Sequence, residues 1–524
     1  MLQVNNVRLQ FGGRVLFDNV NIKFTKGNCY GVIGANGAGK STFLKILSKE
    51  LEPNKGEVVI DKTERMSILT QNQNEYDEYT ILDTVLMGHK RLYEISKEKD
   101  ALYNKPDFSE ADGIKASELE NEFAELNGYE AESEAETLLQ SIGVKDDPQT
   151  LMKNLDGKKK VKVLLAKAVF FTPDILILDE PTNNLDAKSV IWLENFLLKF
   201  ENTVIIVSHN RHFLNKVCTH ICDVDFSKIN LYFGNYDFWY ETSQLILRQS
   251  KDTNKKLETR MQELQEFIRR FSANASKSRQ ATSRKKELEK ITLDDIKPSS
   301  RKYPFIDFKF DREIGNDILF VENLTKKGYF ENISFTVNKG EKIAFLSDKS
   351  QSITMLFDIL KGIEKPDEGK FKWGLTIIPT YLPLLNKEFF ENCKLSLVEW
   401  IRQYSKEKDE TYLRGWLGRM LFSGDEALKH AEVLSGGEKV RCMLSRMMLM
   451  GGNFLVMDEP TNNLDLESIT ALNKGMTNFT GNMLFTTHDH ELIQTAANRI
   501  IVINNKKVFD RQISYDDYLE LDIK

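Results

Sequence analysis

Eight residues near the start of the chain, GANGAGKS at 34–41, carry three glycines, a lysine and a serine in the spacing GxxxxGKS. Glycines so placed let backbone amides curl round phosphate oxygens, and the positive end of the helix that follows adds to the attraction. The lysine can reach the outer phosphates and the serine hydroxyl can ligate Mg²⁺. Gly34, Asn36, Gly37, Ala38, Gly39, Lys40, Ser41 and Thr42 are therefore candidates for holding a nucleoside triphosphate. A second run, DILILDEPTNNLD at 174–186, is apolar and then ends in two carboxylates. Asp179 is suited to hold Mg²⁺ through water, and Glu180 to polarise an attacking water. Carboxylates at a strand end often serve solubility alone, but their pairing with the phosphate loop argues for catalysis. His209, in IIVSHNR, stands where it can sense a γ-phosphate, although a lone histidine is more often structural. Gln71, in SILTQNQ, is placed to reach metal and water.

These residues need elements to position them. YGVIGANGAGKSTFLKIL reads as an apolar strand, a loop and a helix, the context that the phosphate loop requires. The carboxylate pair and the histidine also follow apolar strands, so an α/β fold is expected. The pattern then repeats. LQVNNV at 2–7 resembles LFVENL at 319–324, and FDNVNIKF at 17–24 resembles FENISFTV at 330–337. Gly34 falls on Ser347 at an offset of 313, while LDEPTNNLD at 178–186 falls on MDEPTNNLD at 457–465 at an offset of 279. The first copy thus holds 34 extra residues, placed between Gln71 and Leu155. Within them, 107–136 carry eleven acidic groups and one lysine. This arm, at about 95–135, is either a solvated helical hairpin or a docking arm for a basic partner.

Read in register, the second copy has lost its phosphate loop. Gly34 becomes Ser347, Gly39 becomes Ser352, Lys40 becomes Ile353 and Gln71 becomes Leu384, while Thr354 keeps a hydroxyl at the metal-ligand position. An isoleucine cannot neutralise phosphate charge. Asp458, Glu459 and His488 survive there. Phe11, 23 residues before Gly34, is either an adenine-stacking aromatic or an ordinary core phenylalanine, and its region is shortened in the second copy.

The second copy carries LSGGE at 434–438, and with that segment both copies resemble the ABC ATPases from end to end. The resemblance implies two tandem ABC-type P-loop domains that use ATP and Mg²⁺. It also implies that Ser435, Gly436, Gly437 and Glu438 complete the site of Lys40 across an intramolecular pair of domains, the chain acting as a monomer. The partner segment for the second site has become LDGKK at 155–159, so Asp156 and Lys158 replace the hydroxyl donor and a glycine. Every loss then faces one nucleotide and every retained part faces the other. The second site has either decayed or become regulatory, with weak nucleotide binding left open.

The expected domains are 1–244, a linker at 245–302 and 317–524. The linker lacks proline and glycine over 245–291, and Leu257, Met261, Leu264, Ile268 and Phe271 recur at steps of four and three, an apolar helical seam along which a second helix returns. Its segment 269–286 holds Arg269, Arg270, Lys277, Arg279, Arg284, Lys285 and Lys286 and no acidic group. A charge run is often only a solvated face. Here it sits at the bend of a hairpin in a chain of 72 basic against 78 acidic residues, net charge −6, so a polyphosphate backbone is its expected target. The hairpin resembles that of the ABC-F proteins, in particular the YbiT-like branch. That resemblance implies ATP-dependent binding at the tRNA exit site of the ribosome, contact with large-subunit rRNA and P-site tRNA, and regulation of translation. The alternative is the tandem ATPase subunit of a membrane transporter. Five scattered cysteines suggest no disulfide framework, and no apolar run approaches the roughly 20 residues that cross a bilayer, so a cytoplasmic location without a membrane partner is expected.

Overall fold

Apolar residues in unbroken runs make strands that are buried on both faces, and such strands form the middle of each sheet. In the computed structural model β3 (Cys29–Gly34) and β7 (Thr203–Val207) are buried along their whole lengths. The structure describes residues 1–523 except Asn36, Thr70, Gln71, Asn184, 272–282, Arg284, Glu287, 289–300, Asp348, Asn505 and Lys506. Two compact units divide the chain: Met1–Ser208 with Phe213–Ser300, and Arg301–Lys524 with the short segment His209–His212.

In the first unit β1 (Leu2–Phe11), β2 (Arg14–Phe24) and β4 (Lys55–Val59) make a three-stranded antiparallel sheet. Burial alternates along β1, as expected of a strand with one face on the core. The larger sheet adds β5 (Met66–Leu69), β6 (Ile175–Asp179), β8 (His220–Asp225) and β9 (Lys228–Phe233) in the order β5-β6-β7-β3-β8-β9. All its pairings are parallel except β8 with β9. The helix Lys40–Leu47 buries Phe43, Leu44, Ile46 and Leu47 in the core formed with residues of both sheets.

The second unit repeats this layout. Its small sheet runs β11 (Phe330–Val337), β10 (Leu319–Lys326), β13 (Glu368–Trp373). Its large sheet joins β14 (Pro379–Leu382), β15 (Phe454–Asp458), β16 (Asn482–Thr486), β12 (Lys342–Leu346), β17 (Arg499–Asn504) and β18 (Lys507–Arg511) in that spatial order. The duplication extends to unusual backbone angles. Asn6 and Asn323 both have φ of 50°, Asn19 and Asn332 have 54° and 53°, and Glu180 and Glu459 have 52° and 47°. These pairs follow the offsets read from the sequence.

The acidic insertion forms two packed helices, Lys90–Tyr103 and Glu110–Glu125. The first supplies cations to the second: Lys99 meets Glu120 and Lys105 meets Asp112, each at 2.6 Å, and Arg91 meets Glu122. After β9, one helix runs 36 residues from Tyr236 to Phe271, about 54 Å at 1.5 Å per residue. It is rooted by Trp239, whose buried Nε1 donates to Asp223 Oδ2 at 3.1 Å. Along the expected seam Leu264 is fully buried, with Met261 and Ile268 half-buried.

Residues 301–312 enter the second unit as an extended strap. Ile306 and Phe308 are buried, and both Phe308 and Phe310 set their rings edge-on to Phe479. The Phe305 N–H donates to Arg419 O at 2.9 Å. Phe308→Ala should therefore destabilise the second unit by about 3 kcal/mol, the ordinary cost of emptying a buried phenylalanine site. Urea unfolding followed by tryptophan fluorescence checks this, and a shift below about 1 kcal/mol would contradict the strap's role in the core.

Candidate functional site

The order β6-β7-β3 puts the carboxyl ends of three neighbouring strands side by side in the first unit, where ligands bind in open α/β sheets. Gly34 ends β3, Asp179 ends β6, and His209 lies two residues beyond β7. The glycines are there because side chains do not fit. A Cβ on Gly34 would stand 2.7 Å from Val224 O, and one on Gly39 would stand 2.8 Å from Leu16 and 2.9 Å from Phe17. Gly37 and Gly39 also hold φ of 77° and 103°, which side chains rarely adopt. Gly39 caps the helix Lys40–Leu47 without any side-chain hydrogen bond, so the first amides of that helix are not capped by a side chain. Lys40 curls over the loop and donates to Gly34 O at 2.8 Å.

Burial raises the Asp179 carboxyl above its ordinary range, while the Ser41 hydroxyl and the Lys40 charge pull it down. A half-buried carboxylate beside a lysine and a serine hydroxyl, below an open amide cradle, fits a triphosphate with its Mg²⁺. Glu180 follows in left-handed backbone, tied by its N–H to Val207 O at 2.8 Å. A non-glycine residue there is strained, and such strain gathers at working sites. Phe11 is 54% exposed at the end of β1, which removes the core-phenylalanine alternative. Ala38, Ser41 and Thr42 lie in the loop and the first turn of the helix as expected, while Asn36 and Gln71 fall outside the described residues. Arg14 was not singled out from the sequence, and its Nη2 donates to Gly37 O at 2.9 Å. Only proximity in the fold shows it.

The second unit handles the same positions differently. Ser347, at the place of Gly34, donates its hydroxyl to Ile503 O at 2.7 Å. Ser352, at the place of Gly39, donates to Tyr329 O at 2.9 Å. Ile503 corresponds in register to Val224, whose carbonyl lies against Gly34, and Tyr329 to Leu16, whose side chain lies against Gly39. The helix begins at Ser350, one turn earlier than in the first unit, and Ile353 is 1% exposed in a core shared with Leu356 and Phe357. Asp458 is 2% exposed and sits beside the Thr354 hydroxyl, which pulls its carboxyl down. Burial, with Glu459 and Asp358 nearby, pushes the Asp458 carboxyl up to about 7. Glu459 pairs with His488 at 3.4 Å, and Leu384 is exposed.

LSGGE forms the N-terminus of the helix Gly436–Met450. Ser435 caps it, accepting from the Glu438 N–H at 3.4 Å, while Glu438 Oε2 accepts from the Ser435 N–H at 2.8 Å. Its glycines rest on the neighbouring PTNNLD segment. A Cβ on Gly437 would come 2.6 Å from Asn463 O, and one on Gly436 would come 3.1 Å from the Asn463 side chain. In the first unit the equivalent helix Gly157–Val169 is capped by exposed Asp156, which accepts from Lys159 N–H at 2.8 Å, and Lys158 is exposed. In the linker Arg269, Lys285 and Lys286 are exposed on helical backbone. The Arg270 side chain and Lys277, Arg279 and Arg284 lie outside the described residues.

A small antiparallel sheet, a parallel sheet ending in the phosphate loop and carboxylate pair, and an LSGGE helix, laid out twice, define a tandem ABC-type ATPase. A family model described as ABC transporter matches 17–183 and again 330–462, and a second model of that description matches 222–308. The chain is 61% identical to the uncharacterized ABC transporter ATP-binding protein YkpA of Bacillus subtilis, over 99% of this chain and 97% of that one. It is 44% identical to the probable ATP-binding protein YbiT of Escherichia coli O157:H7, over 99% of each. The solved archaeal ribosome recycling factor aABCE1, in complex with the stalk protein aP1, shares the fold at a TM-score of 0.63 and 16% identity, covering 98% of this chain and 92% of that one. The chain belongs to the ABC-F group of the ABC family, whose tandem domains bind and hydrolyse ATP. Among the described residues no helix is long and apolar enough to cross a membrane.

A carboxyl raised from 3.8 to about 7 keeps its proton in the folded unit while the unfolded chain releases it, so stability falls as pH rises between those values. Asp458→Asn removes that penalty. The variant should be stabilised by on the order of 4 kcal/mol at pH 8, and by much less at pH 5, since a tenfold change in proton affinity is worth about 1.4 kcal/mol. Calorimetric unfolding at the two pH values checks this, and equal gains at both would contradict it.

Proposed function

We propose that this chain is a ribosome-directed ABC-F ATPase with one competent ATP site. The competent site comprises the loop of Lys40 and Ser41, with Asp179, Glu180, His209 and Gln71, completed by Ser435, Gly436, Gly437 and Glu438. The carrying observation is the contrast between the two loops: glycines leave an open cradle round Lys40, whereas serines pin the second loop and Ile353 is sunk in the core.

Lys40 and the loop amides hold the β- and γ-phosphates, and exposed Phe11 offers a face to the adenine. Ser41 and Asp179, with Gln71, would hold Mg²⁺, which would supply charge compensation on those phosphates. Glu180 accepts a hydrogen bond from the attacking water and orients it. Water adds to the γ-phosphorus as the bond to the β-phosphate oxygen breaks, giving ADP and phosphate. Ser435, whose oxygen accepts from the Glu438 N–H, would donate its hydroxyl to the γ-phosphate. In this reading ATP brings the two domains of a monomer together, the closed form binds the ribosome near the tRNA exit site, and hydrolysis releases it in the cytoplasm, regulating translation. The basic linker supports an RNA target, and the fold relative aABCE1 is itself a ribosome recycling factor.

Glu180→Gln should lower ATP turnover by about 100-fold or more, the usual worth of a positioned acid–base group, while Glu459→Gln leaves it within about twofold. Steady-state phosphate release decides, and equal losses would remove the asymmetry. With a non-hydrolysable ATP analogue the chain should co-sediment with ribosomes, and changing the seven basic linker residues to glutamine should weaken binding and flatten its dependence on salt. Unchanged sedimentation at every salt concentration would end the RNA-binding role of the linker.

A further inference from the structure

The strap that enters the second unit begins with an ion pair whose position is informative. Arg301 Nε lies 2.8 Å from Glu467 Oε1, with the side chains 8% and 5% exposed. A buried pair of this kind contributes little net stability, because desolvation offsets attraction. The strap has other anchors: Ile306 lies against Gly475, where a Cβ would meet it at 2.8 Å, and Phe308 and Phe310 pack on Phe479. Holding the strap therefore does not require the charges. What the pair adds is position.

Glu467 is the second residue of the helix Leu466–Asn478, whose cap Asp465 accepts from the Ser468 N–H at 2.9 Å. That cap closes the PTNNLD segment. Two residues earlier stands Asn463, with φ of 63°, on whose carbonyl and side chain Gly437 and Gly436 rest. Ser435 precedes them directly. The strap also touches the far end of the Ser435 helix, where the Asp307 N–H meets Met448 Sδ at 3.2 Å. A continuous set of contacts thus joins Arg301, near the end of the linker and at the start of the second unit's long stretch, to Ser435. At the offset of 279 the first copy has Lys188 in place of Glu467, so the acid belongs to the copy whose LSGGE is intact.

We propose that Arg301 is a positioning residue: its pair with Glu467 sets the placement of PTNNLD and, through Asn463, of Ser435, so that the linker's end and the γ-phosphate donor move together. The catalytic part of this rests on the shared-site reading above; the structural part does not. Two readouts on the full chain test it. In Arg301→Gln, amide hydrogen exchange without nucleotide should rise about fivefold or more over 434–440 and 461–468, while β15 and β16 keep wild-type exchange. Turnover should fall roughly five- to tenfold with KM for ATP nearly unchanged, because the Lys40 loop is untouched and only the donor is misplaced. Arg301→Met combined with Glu467→Leu guards against a folding defect: wild-type thermal stability with the same loss of turnover supports the linkage, and full turnover overturns it. Unchanged exchange over both segments, or a rise spread evenly through the second unit, also overturns it. Lys40→Ala tests the shared site separately. If turnover survives that change the shared site falls, and exchange in Arg301→Gln still decides the linkage. If turnover needs Lys40 but ignores Arg301, the linkage alone falls.

Discussion

A carbonyl oxygen sets the terms of each phosphate loop. Val224 O stands so close to Gly34 that a methyl group there would come within 2.7 Å, and only glycine lets the strand turn beneath the amides that face a phosphate. Once a side chain is admitted, the geometry favours a different use of the same oxygen. Ser347 reaches the corresponding carbonyl of Ile503 and donates to it, converting a close approach into a tether. Ser352 does likewise at Tyr329 O. With both ends of the loop fixed to the sheet layer, the helix can start one turn early and bury Ile353. The two units thus differ less in fold than in whether the residues at these two positions carry a side chain that bonds a backbone oxygen.

That difference propagates into electrostatics. In the first unit the Lys40 charge moderates the upward shift that burial imposes on Asp179. In the second an isoleucine holds the lysine position, and Asp458, deeper still, is flanked by Glu459 and Asp358 instead. Burial, reinforced by these two acids, keeps the proton on such a carboxyl to a higher pH than an ordinary carboxylate would hold it.

Much of this was legible in the sequence because it rests on residue types at fixed offsets. The duplication, the strand–loop–helix context of Lys40 and the substitutions at Ser347, Ser352 and Ile353 need only counting. The left-handed residues repeat at the same offsets, Asn6 with Asn323 and Glu180 with Glu459. What the sequence hid were contacts whose partner is a backbone atom far along the chain: Ser347 with the carbonyl of Ile503, Gly437 with that of Asn463, Arg14 with that of Gly37. A carbonyl carries no residue type, so no pattern announces it. The charge balance of the arm is another contact that the segment alone does not show. Its acidic groups lie within 107–136, whereas Arg91, Lys99 and Lys105, which neutralise part of them, lie in the preceding helix or just beyond it.

The persistence of strain in the pinned unit bears on what that unit is for. Glu459 keeps φ of 47° and the same backbone hydrogen bond, to Thr486 O at 3.0 Å, that Glu180 makes to Val207 O. Strain of this kind costs of order 1–3 kcal/mol and lasts only where surrounding structure imposes it. Catalysis at Ile353's side of the unit gives no reason to bear that cost. Geometry does: Glu459 leads directly into PTNNLD, and the placement of Asn463 under Gly436 and Gly437 depends on how the chain leaves β15. A relaxed residue at 459 would redirect the segment on which the LSGGE glycines rest. The carboxylate pair of the second unit is thus explained by its backbone path rather than by its charge: Glu459 keeps the turn that carries the chain from β15 into PTNNLD.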